Sequence, residues 1–577
     1  MQIMFSKKIY YFVFTLFFIN CLFAQESLKS IEEEYYDFLS LQGILERPTL
    51  NYRTLSDSVW SIDEKIEHLW ENNNLGTTNN LWTFENKKSN WFLNGLNTNI
   101  NLKLYGPEWY NSYNTSAPYG QNDGALWQGK GYNTSFTAGA RLEAFGFELT
   151  IKPQITFSQN LEFEYIKPNS AYNGENFIGK ASIYGYYGVH YLDAPQRFGN
   201  KAFWTFDFGD SEIRWSWNTF TMGFGTQSIW LGPAKINPII HSNNAPSYPK
   251  IDLGLRKTEL FMPYFGWHLG DIEARGWWGQ LTESDYFDND KSNDSNLIAG
   301  LSFAYSFPGI LKGFSVGINR TMLSKWNDLS AYSLFNIFIP GLGNLTSGGS
   351  DASDQRFSIT ADYILPIAGI EIYFEWARND FSPSLDYIIR YPFHTQGWTA
   401  GVQKSFKINK YNSLQILLEC TNLECSADYD RLIGWYSTFY AHHIIKQGYT
   451  NKGQWLGAGI GTGGNSQYLG AKWINKRGYL NLFIQRRNPD LDYTMYIDAK
   501  SESTKEDYKK GIWTAESNIR CIVDIGLESL FFITDDFSIK AKYIFEDERN
   551  PLNVSKNGSS SIHRFNNIFQ ISVKYEF

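Results

Sequence analysis

Only four cysteines, eight histidines and six methionines occur in 577 residues. Beyond the first eighteen positions no apolar run approaches the roughly 20 residues that a spanning helix needs. Each scarcity removes a class of protein. So few thiols in a long exported chain cannot form a disulfide framework; Cys420 and Cys425 either close one small loop or remain free. The lack of long apolar segments, with a mean hydropathy of -0.36, excludes a helical membrane protein. Basic residues are also short, 51 against 59 acidic, for a formal net charge of -8. Nucleic-acid partners usually demand a basic patch, so none is expected.

The amino terminus has the form of a secretory signal. Lys7 and Lys8 supply the positive region, "IYYFVFTLFF" supplies a short apolar core, and "CLFAQ" supplies a cleavage site after Ala24. A lipoprotein signal centred on Cys21 is the rival, but Asn20 is a poor residue to precede a lipidated cysteine. Removing residues 1–24 takes away two lysines and no acids, which leaves a net charge of -10.

What the chain has in abundance is aromatic. Phe, Trp and Tyr make up 17%, with 37 Tyr, 43 Phe and 20 Trp, beside 48 Gly. Low hydropathy with many rings suits an outer-membrane barrel, where alternate residues touch lipid and aromatic girdles sit at the headgroups. A propeller would also be aromatic-rich, but there is no repeat at blade spacing.

The strand pattern supports the barrel. The closing "FQISVKYEF" places Phe569, Ile571, Val573, Tyr575 and Phe577 on one face and Gln570, Ser572, Lys574 and Glu576 on the other. "IEIYFEWA" sets Ile370, Ile372, Phe374 and Trp376 against Glu371, Tyr373 and Glu375; "FSITADYIL", "SIKAKYIF" and "NTNINLKLY" alternate likewise. A dry sheet interior accommodates charges such as Glu371, Glu375, Lys540 and Lys542 only if they are paired, whereas a hydrated lumen takes them readily.

Short connections with turn residues fall near Phe145–Gly146, Gly209–Asp210, Gly270–Asp271, Pro308–Gly309, Ala368–Gly369, Asn409–Lys410, Arg477–Gly478 and Asp535–Asp536. Longer Asn/Ser/Gly/Tyr-rich segments separate them. With a first strand near 97–105 and a last at 569–577, the tally predicts a closed antiparallel transmembrane β-barrel of about 18 strands spanning 90–577. That even number puts both termini on the periplasmic side of the cell outer membrane. Residues 25–75 break the pattern. Tyr35, Phe38, Leu39, Leu41 and Ile44 fall near helical spacing, and "TLSDSVWSIDEKIEHLW" predicts a second helix capped by Ser56 or Asp57. A small periplasmic helical segment, plugging or flanking the opening, is expected there.

Three stretches then resemble the Wzi family of capsule-assembly outer-membrane proteins, including its relatives in Bacteroidetes-type bacteria. The first is the amino-terminal helix with "LQGILERPTLNYRTLSDS". The second, "MGFGTQSIWLGPAKINPIIHSNNAPSYPKIDL", carries Gly225, Gln227, Trp230, Gly232, Pro233, Ser242, Asn243, Asn244, Ala245 and Pro246. The third is "WWGQLTESDYF", Trp277 to Phe287. The resemblance implies an 18-stranded barrel that binds capsular polysaccharide at the cell surface and helps anchor it, its lumen largely closed by loops and helices. The chain departs from enterobacterial members in its long Asn/Tyr-rich external loops.

Several motifs invite other readings. "GFSVG" at Gly313–Gly317 matches a nucleophile elbow, yet Phe314, Val316 and Ile318 alternate as a strand does, and an elbow needs a strand-to-helix turn. "GIGTGG" at Gly459–Gly464 has no βαβ unit around it. "DNDKSND", with Asp288, Asp290, Asn293 and Asp294, lacks the Gly and distal Glu of a calcium loop and is taken as solvated. His442–His443 has no partners at metal spacing. No catalytic set, metal or cofactor is therefore expected.

Candidate glycan contacts are Trp230, Asn243 and Asn244, with the external-loop aromatics Trp109, Tyr110 and Trp127 beside Tyr113 and Tyr119. Amides offer paired donors and an acceptor to hydroxyls, and rings offer flat faces. The bland alternatives are an irregular segment packed on the inner wall and an interfacial girdle. The expected partners are capsular or other surface polysaccharide, outer-membrane lipid, and the barrel-assembly machinery through Phe577. The rival function is a porin or transport channel.

Overall fold

The computed structural model describes residues 30–60, 62, 66–73, 82–84, 96, 99–166, 192–288, 290–338, 353–379, 385–424, 439–442, 444–491, 519–552 and 562–577. The signal peptide expected over 1–24, Cys425 and His443 lie outside them. Cys420 and Cys521 are free thiols.

Eighteen antiparallel strands close into one barrel. In chain order they are β1 (Ile100–Asn114), β2 (Gly131–Ala144), β3 (Phe147–Ile151 continued by Gln154–Ser158) and β4 (Phe203–Asp207 continued by Glu212–Trp217). Next come β5 (Phe220–Gly225), β6 (Lys250–Phe261), β7 (His268–Thr282), β8 (Ser295–Ser306) and β9 (Phe314–Lys325). They are followed by β10 (Asp354–Leu365), β11 (Ile370–Asn379), β12 (Gln396–Asn409), β13 (Asn412–Asn422) and β14 (Asn465–Asn475). The last are β15 (Gly478–Asn488), β16 (Cys521–Phe532), β17 (Phe537–Arg549) and β18 (His563–Tyr575). Closure comes from β18 on β1, with Phe569 opposite Tyr113 and Val573 opposite Trp109.

The two faces are sorted as a membrane requires. Along β11, Ile372 is 54% exposed and Phe374 43%, while Glu371 and Glu375 are wholly buried. Greasy residues outside and charged ones inside invert the order of a soluble protein.

Eight short turns lie at the end where β1 begins and β18 finishes, and nine longer connections lie at the far end. The predicted number of strands holds, but two turns were misplaced. Gly209 (φ +55°) sits at a break within β4, where Thr226 Oγ1 donates to its carbonyl, and the turn itself is Asn218–Thr219. Gly270 (φ +120°) lies inside β7 beside a register shift, and the turn is 262–267. Glycine serves strand bends as readily as turns, so composition alone cannot separate them. Similarly, "GPEWYNSYN" continues β1 past a register shift between Tyr105 and Glu108, so Trp109, Tyr110 and Tyr113 belong to a strand, not to a loop.

Helix α1 (Ile31–Leu41) is capped by Ser30, whose hydroxyl accepts the Glu33 N–H at 3.1 Å. It lies within the terminal end of the lumen. Tyr35 stacks on Trp70 at 4.0 Å, and Trp70 meets Phe532 edge-on. Ile474, Tyr479 and Leu530 of the wall complete this apolar cluster. The second predicted helix does not form among the described residues: Thr54–Asp57 is a turn, after Tyr52–Arg53 has paired with Trp230–Leu231. Local amphipathicity gave way to ion pairs that only the barrel wall could offer.

Because Phe569 is half exposed on the outer face, Phe569→Arg should destabilise the folded barrel by about 2–4 kcal/mol near the bilayer midplane. Phe569→Leu should change it by less than about 1 kcal/mol. Urea unfolding in lipid vesicles, followed by tryptophan fluorescence, measures both.

Candidate functional site

The connection 226–249 folds back into the lumen instead of rising from it. Gln227 is fully buried: its Oε1 accepts the Ser56 N–H at 3.0 Å and its Nε2 donates to the Ser56 hydroxyl at 2.9 Å. Trp230 Nε1 donates to the Ala234 carbonyl, and the Arg53 guanidinium lies 5.7 Å from the ring centre. Gly232 takes φ +80° with Thr360 Cγ2 only 3.1 Å from where a Cβ would stand, so this turn needs glycine. His241 donates or accepts at Tyr248 Oη at 2.8 Å; burial, then nearby Lys250, pulls its pKa down to about 3. It is a neutral structural group.

Three glutamates of the barrel wall hold the backbone inside. Glu273 on β7 accepts N–H groups of Leu50, Asn51 and Tyr52 at 2.7–2.9 Å. Glu419 on β13 accepts those of Lys235, Ile236 and Asn237, plus the Tyr373 hydroxyl. Glu375 accepts Ile239 N–H at 2.9 Å. Successive backbone N–H groups form a concavity for an anion, and a buried carboxylate is satisfied by several such bonds.

Ion pairs add to this grip. Arg47 reaches Asp37, Asp362 and Glu371 at 2.5–2.8 Å, and Lys235 reaches Asp37 at 2.9 Å. Asp57 sits between Arg256 and Arg275 at 2.8 and 3.1 Å. Burial opposes the ionised forms of Asp37 and Asp57, but these cations outweigh it and keep both carboxyls well below their ordinary range. Glu32 pairs with Lys574, and Glu34 with Lys472 at 2.7 Å. Glu33 differs: Trp60 Nε1 donates to it at 2.8 Å, yet burial pushes its pKa up to about 7.

A cavity of about 370 Å³ remains between α1, the segments 119–128 and 230–236, and the wall. Six acidic and six basic residues line it, among them Glu34, Asp37 and Glu528 against Lys235, Lys540 and Lys542. Amides such as Gln121, Gln403 and Gln485 and the rings of Trp230 and Tyr468 complete it. Toward the far end the lumen is filled by an apolar core: Ile229, Leu231, Ile239 and Ile240 pack on Tyr440, Tyr449 and Leu456 from the connection 423–464.

Of the residues singled out from sequence, the structure brings Trp230, Asn243 and Asn244 together inside this plug. Asn244 accepts the Asn122 N–H at 3.0 Å and donates to the Trp455 carbonyl, so it ties three connections to one another. Asn243 is almost fully buried, with neither amide atom bonded among the described residues. Tyr110 points inward to Gln128 at 3.0 Å. Trp109 stands on the outer face, 51% exposed, with Nε1 on Thr134. Trp127, in the far-end connection 115–130, meets Phe198 at 4.6 Å. The decoys are placed too: Gly313–Gly317 runs into β9, and Gly459–Gly464 is a turned segment leading into β14. His442 Nδ1 accepts the N–H of Ile445 at 3.1 Å.

Sequence reasoning did not single out Arg47, Glu273 or Glu419, and it read Asp57 only as a helix cap. Their one signal was charge recurring at inward positions or within an otherwise unassigned segment.

A strand cylinder with an apolar outside, a charged inside and a lumen occupied by its own chain defines a plugged outer-membrane β-barrel. The family model of the capsule assembly protein Wzi matches residues 112–560, and the chain belongs to that family. Among solved structures, it is similar to Wzi of Escherichia coli, an outer membrane protein involved in group 1 capsule assembly and a carbohydrate-binding β-barrel. Identity is 12%, the TM-score is 0.51, and 82% of this chain and 85% of that one are covered. OprD of Pseudomonas aeruginosa overlaps more loosely, with 10% identity, a TM-score of 0.37, and 83% and 95% covered. No curated protein matches the sequence.

Two outcomes follow from the plug. Glu33 has a raised folded pKa, so its contribution to docking of α1 is full below about pH 4.5 and is lost as pH rises through about 7. Hydrogen-exchange protection of α1, corrected for intrinsic rate, should fall across that window and stay level in Glu33→Gln. Arg47→Met strands Asp362 and leaves Asp37 and Glu371 to Lys235 alone, and it should weaken plug docking by about 3–5 kcal/mol; limited proteolysis of the 42–58 segment reads it.

Proposed function

We propose that this barrel binds capsular or other surface polysaccharide at the outer face of the outer membrane and holds it there, without catalysis. What supports this most is a lumen filled by packed far-end connections in a member of the capsule-assembly family. A continuous water-filled path would favour transport; a packed core favours a rigid platform that presents loops. In this reading both termini are periplasmic, Phe577, 47% exposed, is the terminal aromatic met by the barrel-assembly machinery, and the far end of the barrel opens on the cell exterior.

Contact with glycan is then multivalent. Many weak stacking and hydrogen-bond contacts along a repetitive chain add through high effective concentration. Trp127, beside Phe198, is suited to stack on a sugar ring. Trp230, Asn243 and Asn244 act from within, holding the connections in position, and Trp109 acts on the lipid side.

Detergent-purified protein should bind on a glycan array and give no steady conductance in a planar bilayer. Trp127→Ala should weaken binding about tenfold, or about 1.4 kcal/mol. Steady conductance with no glycan bound overturns the reading.

A further inference from the structure

The connection 283–294 joins β7 to β8 at the far end, and it gathers carboxylates that no cation pairs with among the described residues. One oxygen each of Glu283, Asp288 and Asp294 lies within 4.8 Å of the others. Among the described residues, none of the three is in an ion pair. Glu283 is only 8% exposed, and its Oε1 is buried with no hydrogen-bond partner among the described residues. A buried carboxylate oxygen with neither donor nor cation is costly, and this carboxyl group stands beside two others. Burial, and then Asp288, Asp193 and Asp294, push the Glu283 pKa up to about 9.

A second oxygen is placed alike. Asn293 Nδ2 donates to Asp288 Oδ2 at 3.3 Å, and Asn293 Oδ1 is buried without a partner. The other acids nearby are already committed: Asp193 takes the Ser284 N–H and hydroxyl at 2.6 Å, and Asp290 takes Ser292. They fix the loop rather than complete the cluster.

We propose that Glu283, Asp288, Asp294 and Asn293 Oδ1 form a calcium site. The donors are all oxygen, with no histidine or cysteine in the group, which selects a hard cation. An irregular loop with three carboxylates suits the flexible six- to eight-oxygen shell of calcium better than the strict octahedron of magnesium. The ligand order is not that of an EF-hand, because Glu283 precedes the Asp-rich run instead of closing it.

The site braces a surface connection against the plug. Thr282 accepts from Gln447 Nε2 at 3.0 Å and from the Lys452 N–H at 2.8 Å, so the strand end beneath Glu283 is bound to the inward connection 423–464. Tyr286, on the same loop, meets Phe198 edge-on at 5.8 Å, which links it to the Trp127 ring cluster.

Calcium chloride titrated into lipopolysaccharide-free, detergent-folded protein by isothermal calorimetry tests this. One site per chain is expected, with a Kd of roughly 10⁻⁴ to 10⁻³ M. Glu283→Gln, and the exposed Asp294→Asn, should each weaken it about tenfold or more, while Asp285→Asn, outside the cluster, should leave it unchanged. Heat-modifiable gel mobility confirms that every variant folds. The proposal is overturned by absence of binding, by equal affinity in Glu283→Gln and Asp294→Asn, or by magnesium binding as tightly as calcium.

Discussion

Charge inside a closed cylinder has nowhere to go. A strand that turns its apolar residues to lipid must turn the alternate ones inward, and here that places Glu212, Asp252, Glu371, Glu375 and Arg214 in a lumen no wider than the plug that fills it. Each needs a counter-ion or a set of hydrogen-bond donors. The wall supplies some of them itself, as Arg214 does for Glu212 and Asp252. The remainder come from the chain's own amino-terminal segment and its inward connections. Plug and wall are therefore one electrostatic unit, and neither is satisfied without the other.

The three stretches that carry the family resemblance meet in this unit. Ser56 of the first clamps Gln227 of the second, Arg53 lies over Trp230, and Tyr52 packs on Trp277 of the third at 5.6 Å. Residues far apart in sequence thus share a local role: they attach inserted backbone to the wall. Glu273 and Glu419 do the same without any local motif, by receiving three successive N–H groups each. A filled lumen leaves the far-end connections as the surface where Trp127, Phe198 and Tyr286 cluster.

Period-two alternation is a property of neighbours, so the face of β11 and β18 was legible residue by residue: Ile372, Phe374, Phe569 and Ile571 do point outward. The strand number was legible as well, although Gly209 and Gly270 proved to be bends. What local pattern predicted badly was whatever the lumen could override. The segment around Asp57 has helical spacing, but Arg256 and Arg275 draw Asp57 into a turn on the wall. Trp109 and Tyr110 are adjacent and aromatic, yet pleating sends one to lipid and the other to Gln128.

The sequence by itself determined that this chain crosses a membrane with strands, how many there are, which of their residues face lipid, and which family the chain resembles. These depend on alternation, turn chemistry and contiguous motifs, all of which are local. Only the tertiary structure decided that the lumen is filled, which carboxylate receives which N–H group, and that Glu283 faces Asp288 and Asp294 across a loop. The first two depend on pairings between residues far apart in the chain, where the distance between two charges is set by the closed barrel, and the third depends on how one loop turns back on itself.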